Sequence, residues 1–395
     1  MKKIILGRML IDGTGKKPLP RPAVVVEDGR IRSVQTSETL PHSHDAEMID
    51  LSDTTLLPGF IDAHVHLVLS GDQEAIAQLR TDSDEMLTIR ATHNAQRCLK
   101  AGVTTVRDCG DRNGVTLTLK RAIALGIVPG PRIVACGPPI TTTAGHLHYM
   151  GIEADSAHEV RKAARRLIKL GVDWIKVCGT GGGITPGTNT RRAQYSVAEL
   201  KPLVQDAHRL GRRVSVHAHG TEGIRNAVRA GADSIEHSSW LAEDDGWEYD
   251  EEIVAEIQRK GLVICHTIAG PRGIAEKEER KAREEGPQGV LSFQCRALRA
   301  GANVVLGTDA GIPDTQFEDF PKTLEVAVKL GGFSEMETIV CVTGRAAELL
   351  GWADEIGTVE AGKYADLVAV DGNLLEDIAA LQSIVHVIQG GEIVR

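Results

Sequence analysis

The sequence predicts an α/β protein: a (β/α)8 TIM barrel carrying a small β-sandwich built from the two ends of the chain. Three observations carry that expectation. Between about 55 and 350, eight short apolar runs alternate with amphipathic stretches of helical period. Six of those helical stretches end on a glycine just before the next apolar run, the residue that commonly closes a helix. The two ends of the chain differ from the middle, being rich in β-branched residues with tight-turn pairs between the runs.

Taken in order, residues 3–10, 23–27 and 30–36 read as strands, with Asp28-Gly29 as a hairpin turn. Barrel strands are expected over 59–66, 104–108, 132–136, 174–178, 214–219, 234–237, 262–266 and 304–309. The helices between them fall at 84–101, 157–170, 197–210, 221–230, 250–260 and 288–300, followed by Gly102, Gly171, Gly211, Gly231, Gly261 and Gly301. Two stretches read as loops on the C-terminal rim, where barrel active sites form. One is 179–190, after the fourth strand; the other is the charged stretch 270–289, after the seventh, a candidate lid. The final strands are expected at 366–370, 384–388 and 392–395. The division is thus 1–55 with 356–395 for the sandwich and 56–355 for the barrel.

A chain of 395 residues fits one large barrel and a smaller appendage. The net charge of −9 argues against nucleic acid or an anionic membrane as main partner. Lys2-Lys3 precede an apolar run, but Gly7 and Arg8 interrupt it too early for a signal peptide. No stretch reaches the roughly 20 apolar residues of a membrane helix. A cytoplasmic enzyme with a small-molecule substrate, assembled as a homo-oligomer, is expected. The seven cysteines contain no C-x-x-C pair and read as buried free thiols.

The histidines carry the chemistry. His64 and His66 end the first strand, His217 and His219 the fifth, His237 the sixth, His266 the seventh, and Asp309 the eighth. Residues i and i+2 of a strand share a face, and in a barrel all the C-terminal strand ends open on one mouth. Ligand-type side chains far apart in sequence therefore converge. Imidazoles with a carboxylate suit zinc, manganese or cobalt, and the oxygens are too few for calcium. Lys176 lies mid-strand among apolar residues, where an unpaired ammonium is costly. Carboxylated by carbon dioxide, it becomes an anion able to bridge two cations. On the rim, Gly145-His146-Leu147-His148, Arg191-Arg192 and Tyr195 offer groups for a substrate carboxylate. Gly181-Gly182-Gly183 lacks the Lys-Ser/Thr of a phosphate loop and reads as a rim loop.

Ala63-His64-Val65-His66, Ile175-Lys176-Val177, Val216-His217-Ala218-His219, Ile235-Glu236-His237 and Gly307-Thr308-Asp309 resemble the amidohydrolase superfamily. Ala101-Gly102-Val103-Thr104-Thr105-Val106-Arg107-Asp108 and Arg192-Ala193-Gln194-Tyr195-Ser196 are similar to its imidazolonepropionase-like and Xaa-Pro-dipeptidase-like branch. The resemblance spans essentially the whole chain. It implies that His64, His66 and Asp309 hold one divalent cation, His217 and His237 a second, and carboxylated Lys176 bridges the two, with zinc the first choice. It implies hydrolysis of a C–N amide bond, in a dipeptide or N-acyl amino acid, by metal-activated water. Asp309 would handle the proton, and His219 or His146 would stabilise the oxyanion. His148, Arg192, Tyr195 and His266 would bind substrate. A cyclic amide hydrolase or a deaminase is the alternative on the same site. Peptidase relatives often carry Tyr where His219 stands and Pro where His266 stands, so the substrate pocket is where this chain departs from them.

Overall fold

A computed structural model describes residues 2–39, 45–270 and 290–395. The expected lid at 270–289, apart from Gly270, lies outside the described residues, as does the start of the helix expected at 288–300. No helix among the described residues is long and apolar enough to cross a membrane.

All eight strands expected between 55 and 350 form, and two short unexpected ones, Ile140–Thr141 and Ile152–Glu153, lie beside the fourth of them. The eight are Phe60–Val65, Val103–Asp108, Arg132–Ala135, Trp174–Cys178, Arg213–Gly220, Ser234–Leu241, Val263–Thr267 and Asn303–Gly307. The first three pair in parallel, and so do the fourth to the eighth. Between the third and fourth, Asp173 N–H donates to Ala135 O at 2.8 Å, and the Asp173 carboxylate accepts from Ala135 N–H at 2.8 Å. Past the eighth strand, Asp309 N–H donates to His64 O at 2.9 Å and His66 N–H to Ala310 O at 2.8 Å. The six glycines after the helices all take positive φ, from 68° at Gly261 to 96° at Gly171, the left-handed geometry that frees a helix end to turn into a strand.

The chain ends meet as expected, in one mixed eight-stranded sheet. The N-terminal strand of this sheet, Lys2–Leu10, runs antiparallel to Pro22–Glu27 and parallel to Glu47–Pro58. Leu367–Val370, from the other end of the chain, lies antiparallel along Thr55–Pro58, so this long strand crosses the expected boundary at 55. Alternation gives the sheet two working faces. Leu57, Val368, Val370 and Val387 join the core of the eight-stranded α/β unit, whereas Leu56, Leu367, Ala369 and Ile388 close a separate small core. Polar contacts fasten the join: Asp366 accepts from Arg132 Nε at 3.0 Å, and Tyr364 lies between the Arg30 and Arg132 guanidiniums, at 4.1 and 3.8 Å. All seven cysteines are free and buried.

Candidate metal centre

Two-residue alternation on the first strand sends His64 and His66 to the same side, and both are buried. Each ring is held by its Nδ1: His64 donates to Glu236 Oε2 at 2.8 Å and His66 to Gly110 O at 3.1 Å. Those bonds orient both rings and turn their Nε2 atoms toward the same point. Asp309 Oδ1 lies 3.4 Å from each of these Nε2 atoms, is buried, and makes no hydrogen bond. Two imidazole nitrogens and an unsatisfied carboxylate oxygen around one point form a donor set suited to a divalent cation. Burial alone would raise the Asp309 pKa, but His64, His66 and Lys176 outweigh it and hold the carboxyl below the ordinary range.

Alternation does not explain His237. Glu236 faces the same interior as His64, so the next residue should face away. His237 instead takes φ +67°, and Asp309 takes φ +61°. A left-handed non-glycine residue costs on the order of 1–3 kcal/mol, and here it turns both side chains into the cluster. His237 Nδ1 lies 4.0 Å from Asp309 Oδ2 and 2.6 Å from Thr267 Oγ1. The His237 ring stands 5.0 Å from His64, 4.5 Å from His217 and 4.6 Å from His219. His217 donates from Nε2 to Gly181 O at 3.0 Å. One nitrogen each of His217, His219 and His237 fall within 4.8 Å of one another, as do ligand atoms of His64, His237 and Asp309. Lys176, 1% exposed, has its Nζ 3.4 Å from His64 Nε2 and makes no ion pair among the described residues. A third group, His64 with Glu236 and Cys265, is equally compact. Glu236 is already committed there, accepting two bonds from Arg107 Nη2 at 2.8 Å and one from Ser234 Oγ at 2.5 Å.

His146 also reaches the cluster. Its ring centroid is 4.4 Å from that of His217, and its Nδ1 lies 2.9 Å from Thr185 Oγ1. A Cβ on Gly182 would stand 2.2 Å from His146 Cε1, so only glycine lets the 179–190 loop lie on the ring. Burial holds His146 down to about 3 and His219 to about 4, which leaves both neutral at physiological pH.

The other expected substrate residues are placed differently. Tyr195 is fully buried and donates its hydroxyl to Ala154 O at 2.7 Å, which makes it a packing residue. Arg192 ion-pairs with Glu243 and Asp244, so its charge is already answered by the loop after the sixth strand. His148 is exposed, its ring edge-on to Tyr149. His266 is 2% exposed, has neither ring nitrogen hydrogen-bonded, and belongs to none of the compact groups of ligand atoms among the described residues. Sequence reasoning passed over Glu236 and Arg107. The signal available was a carboxylate adjacent to His237 and an arginine inside an apolar strand.

The sequence matches the amidohydrolase family over residues 55–394. The chain belongs to the amidohydrolase family. It is therefore a hydrolase acting on carbon–nitrogen bonds. This amidohydrolase is 32% identical to a Xaa-Pro dipeptidase whose crystal structure has methionine bound in the active site; the TM-score is 0.87, with 100% of this chain and 99% of the other covered. It is 29% identical to an ochratoxinase from Aspergillus niger, covering 99% of this chain and 86% of the relative. An imidazolonepropionase from Symbiobacterium thermophilum is 24% identical, covering 89% of this chain and 84% of the relative.

Proposed function

We propose that this amidohydrolase uses two divalent cations, zinc by preference, to cleave the amide bond of a dipeptide or N-acyl amino acid. The observation that carries the reading is the gathering of His64, His66, Lys176, His217 and His237 around the unsatisfied carboxylate of Asp309. The dipeptidase and ochratoxinase among its relatives support the substrate class. The bonds that join the ends of the eighth and first strands, Asp309 N–H to His64 O and His66 N–H to Ala310 O, support a closed eight-stranded barrel, with the terminal sheet as a second, smaller domain.

In this reading His64, His66 and Asp309 would hold one cation and His217 and His237 the other, and Lys176, once carboxylated on Nζ, would supply an anionic ligand to the pair. When bound, the cations lower the pKa of water and polarise a carbonyl oxygen. The chain's own residues do the rest. Asp309 accepts the proton of the attacking water on a carboxylate oxygen and returns it to the departing amine nitrogen. With the Thr185 hydroxyl turned to donate to its Nδ1, neutral His146 would carry its proton on Nε2 and offer it to the carbonyl oxygen as negative charge grows there. Burial of the cluster keeps bulk water from these transfers.

Product analysis on a library of dipeptides, N-acyl amino acids, cyclic amides and aminated heterocycles tests the reading. Release of free amino acids supports it. Exclusive formation of ring-opened acid or of ammonia would replace it with the cyclic amidase or deaminase alternative; the first of these is the activity suggested by the imidazolonepropionase relative.

A further inference from the structure

We propose that Gln294 is a positioning residue for the metal centre, its side-chain amide holding the left-handed turn that presents His237. The inference rests on the reading of His237 as a metal ligand. The ladder between the sixth and seventh strands ends at the pair Glu236–Cys265. Beyond it His237 and Ser238 take φ +67° and +49°, and their carbonyls leave the pairing with the seventh strand. Buried carbonyls need donors from elsewhere. Gln294, 0% exposed on the helix Val290–Arg299, supplies them. Its Nε2 donates to His237 O at 3.1 Å and to Ser238 O at 2.6 Å. Carbonyls only accept, so the amide nitrogen must face the turn. The Gln294 Oε1 has no hydrogen-bond partner, so the residue's polar contribution lies at its donor end.

A methionine would fill the same space and leave both carbonyls without these bonds. The His237 ring would keep its Thr267 bond but lose the restraint on its backbone. Since that ring lies within 5.0 Å of those of His64, His217 and His219, a small rotation of the turn changes its relation to all three. Helix packing alone does not call for a two-hydrogen donor at this place; the turn does.

The test is a titration of the chelator-treated full chain with Co2+, followed by visible absorption, in the parent, Gln294→Met and His237→Ala. Gln294→Leu, apolar and unable to donate at any pH, is read beside them, and circular dichroism of the apo forms checks folding. The parent takes up two equivalents. Both Gln294 variants bind the first as the parent does and the second about 10- to 100-fold more weakly, with a changed d–d band. A second equivalent lost in His237→Ala but bound with parental affinity and band in the folded Gln294 variants overturns the brace alone. Fewer than two equivalents in the parent overturn the two-metal reading and the brace with it.

Discussion

Asp309 does two things with one carboxylate: it stands between two imidazole Nε2 atoms, and it is the only acidic side chain in the compact group with His64 and His237. Asp309→Asn should therefore lower kcat by roughly 10²-fold or more, measured on whichever amide the library identifies, with folding preserved by circular dichroism. Glu236 is the neighbouring case. Burial opposes its charge, but Arg107 and His64 hold its pKa below the ordinary glutamate value of 4.5. A depressed carboxylate contributes stability above its unfolded pKa and loses it as pH falls through the folded value. The Arg107–Glu236 contribution is thus complete at neutral pH and begins to fade below about pH 4.5. Glu236→Gln should cost about 3–5 kcal/mol at pH 7, because it leaves Arg107 buried and unpaired; urea unfolding of the apo protein at pH 7 measures it. At this scale the gathering of His64, His66 and His217 was legible because strand ends and i, i+2 spacing fix their face. Nearness to the rim in sequence does not say which way a side chain turns: Tyr195 is buried and donates to Ala154 O. The ion pairs of Arg192 were not legible, because Glu243 and Asp244 lie on another loop.

At the scale of elements, the centre depends on how strands end. The alternation that brings in His64, His66 and His217 would carry His237 outward, and a positive φ reverses it. Composition and periodicity contain no signal for that reversal, so sequence pattern named the residue without explaining its direction. The 179–190 loop works through close approach instead. Gly182→Ala places a methyl 2.2 Å from His146 Cε1, and the ring must move. The expected outcome is a fall in kcat/KM of at least ~10-fold with metal content unchanged, checked by steady-state kinetics beside elemental analysis. Unchanged kinetics would remove His146 from the reaction. The glycine caps were the most readable feature, since a left-handed helix end has few occupants other than glycine.

Across the whole molecule, the eight parallel strands and the pairing of the two chain ends were legible from period and turn residues. The long strand Glu47–Pro58 was not among the expected strands: its first half alternates with Asp, Ser and Thr, and it is Lys2–Leu10 and Leu367–Val370 that pair with it. The join between the terminal sheet and the α/β unit is polar at its edge. Asp366 accepts from Arg132 and from Gly390 N–H, the latter at 2.8 Å. Asp366→Ala should lower stability by about 1–3 kcal/mol by leaving those donors unsatisfied, while the metal content stays that of the parent; denaturant unfolding and elemental analysis read the two effects separately.

The central claim is a pair of cations bridged through Lys176, and metal content tests it most directly. Protein expressed with zinc and bicarbonate is analysed for metal per chain beside Lys176→Ala. The account predicts about two metals in the parent, from the two donor sets argued above, and a marked loss in the variant. One metal per chain, unaffected by the substitution, would contradict it and make Lys176 a structural residue.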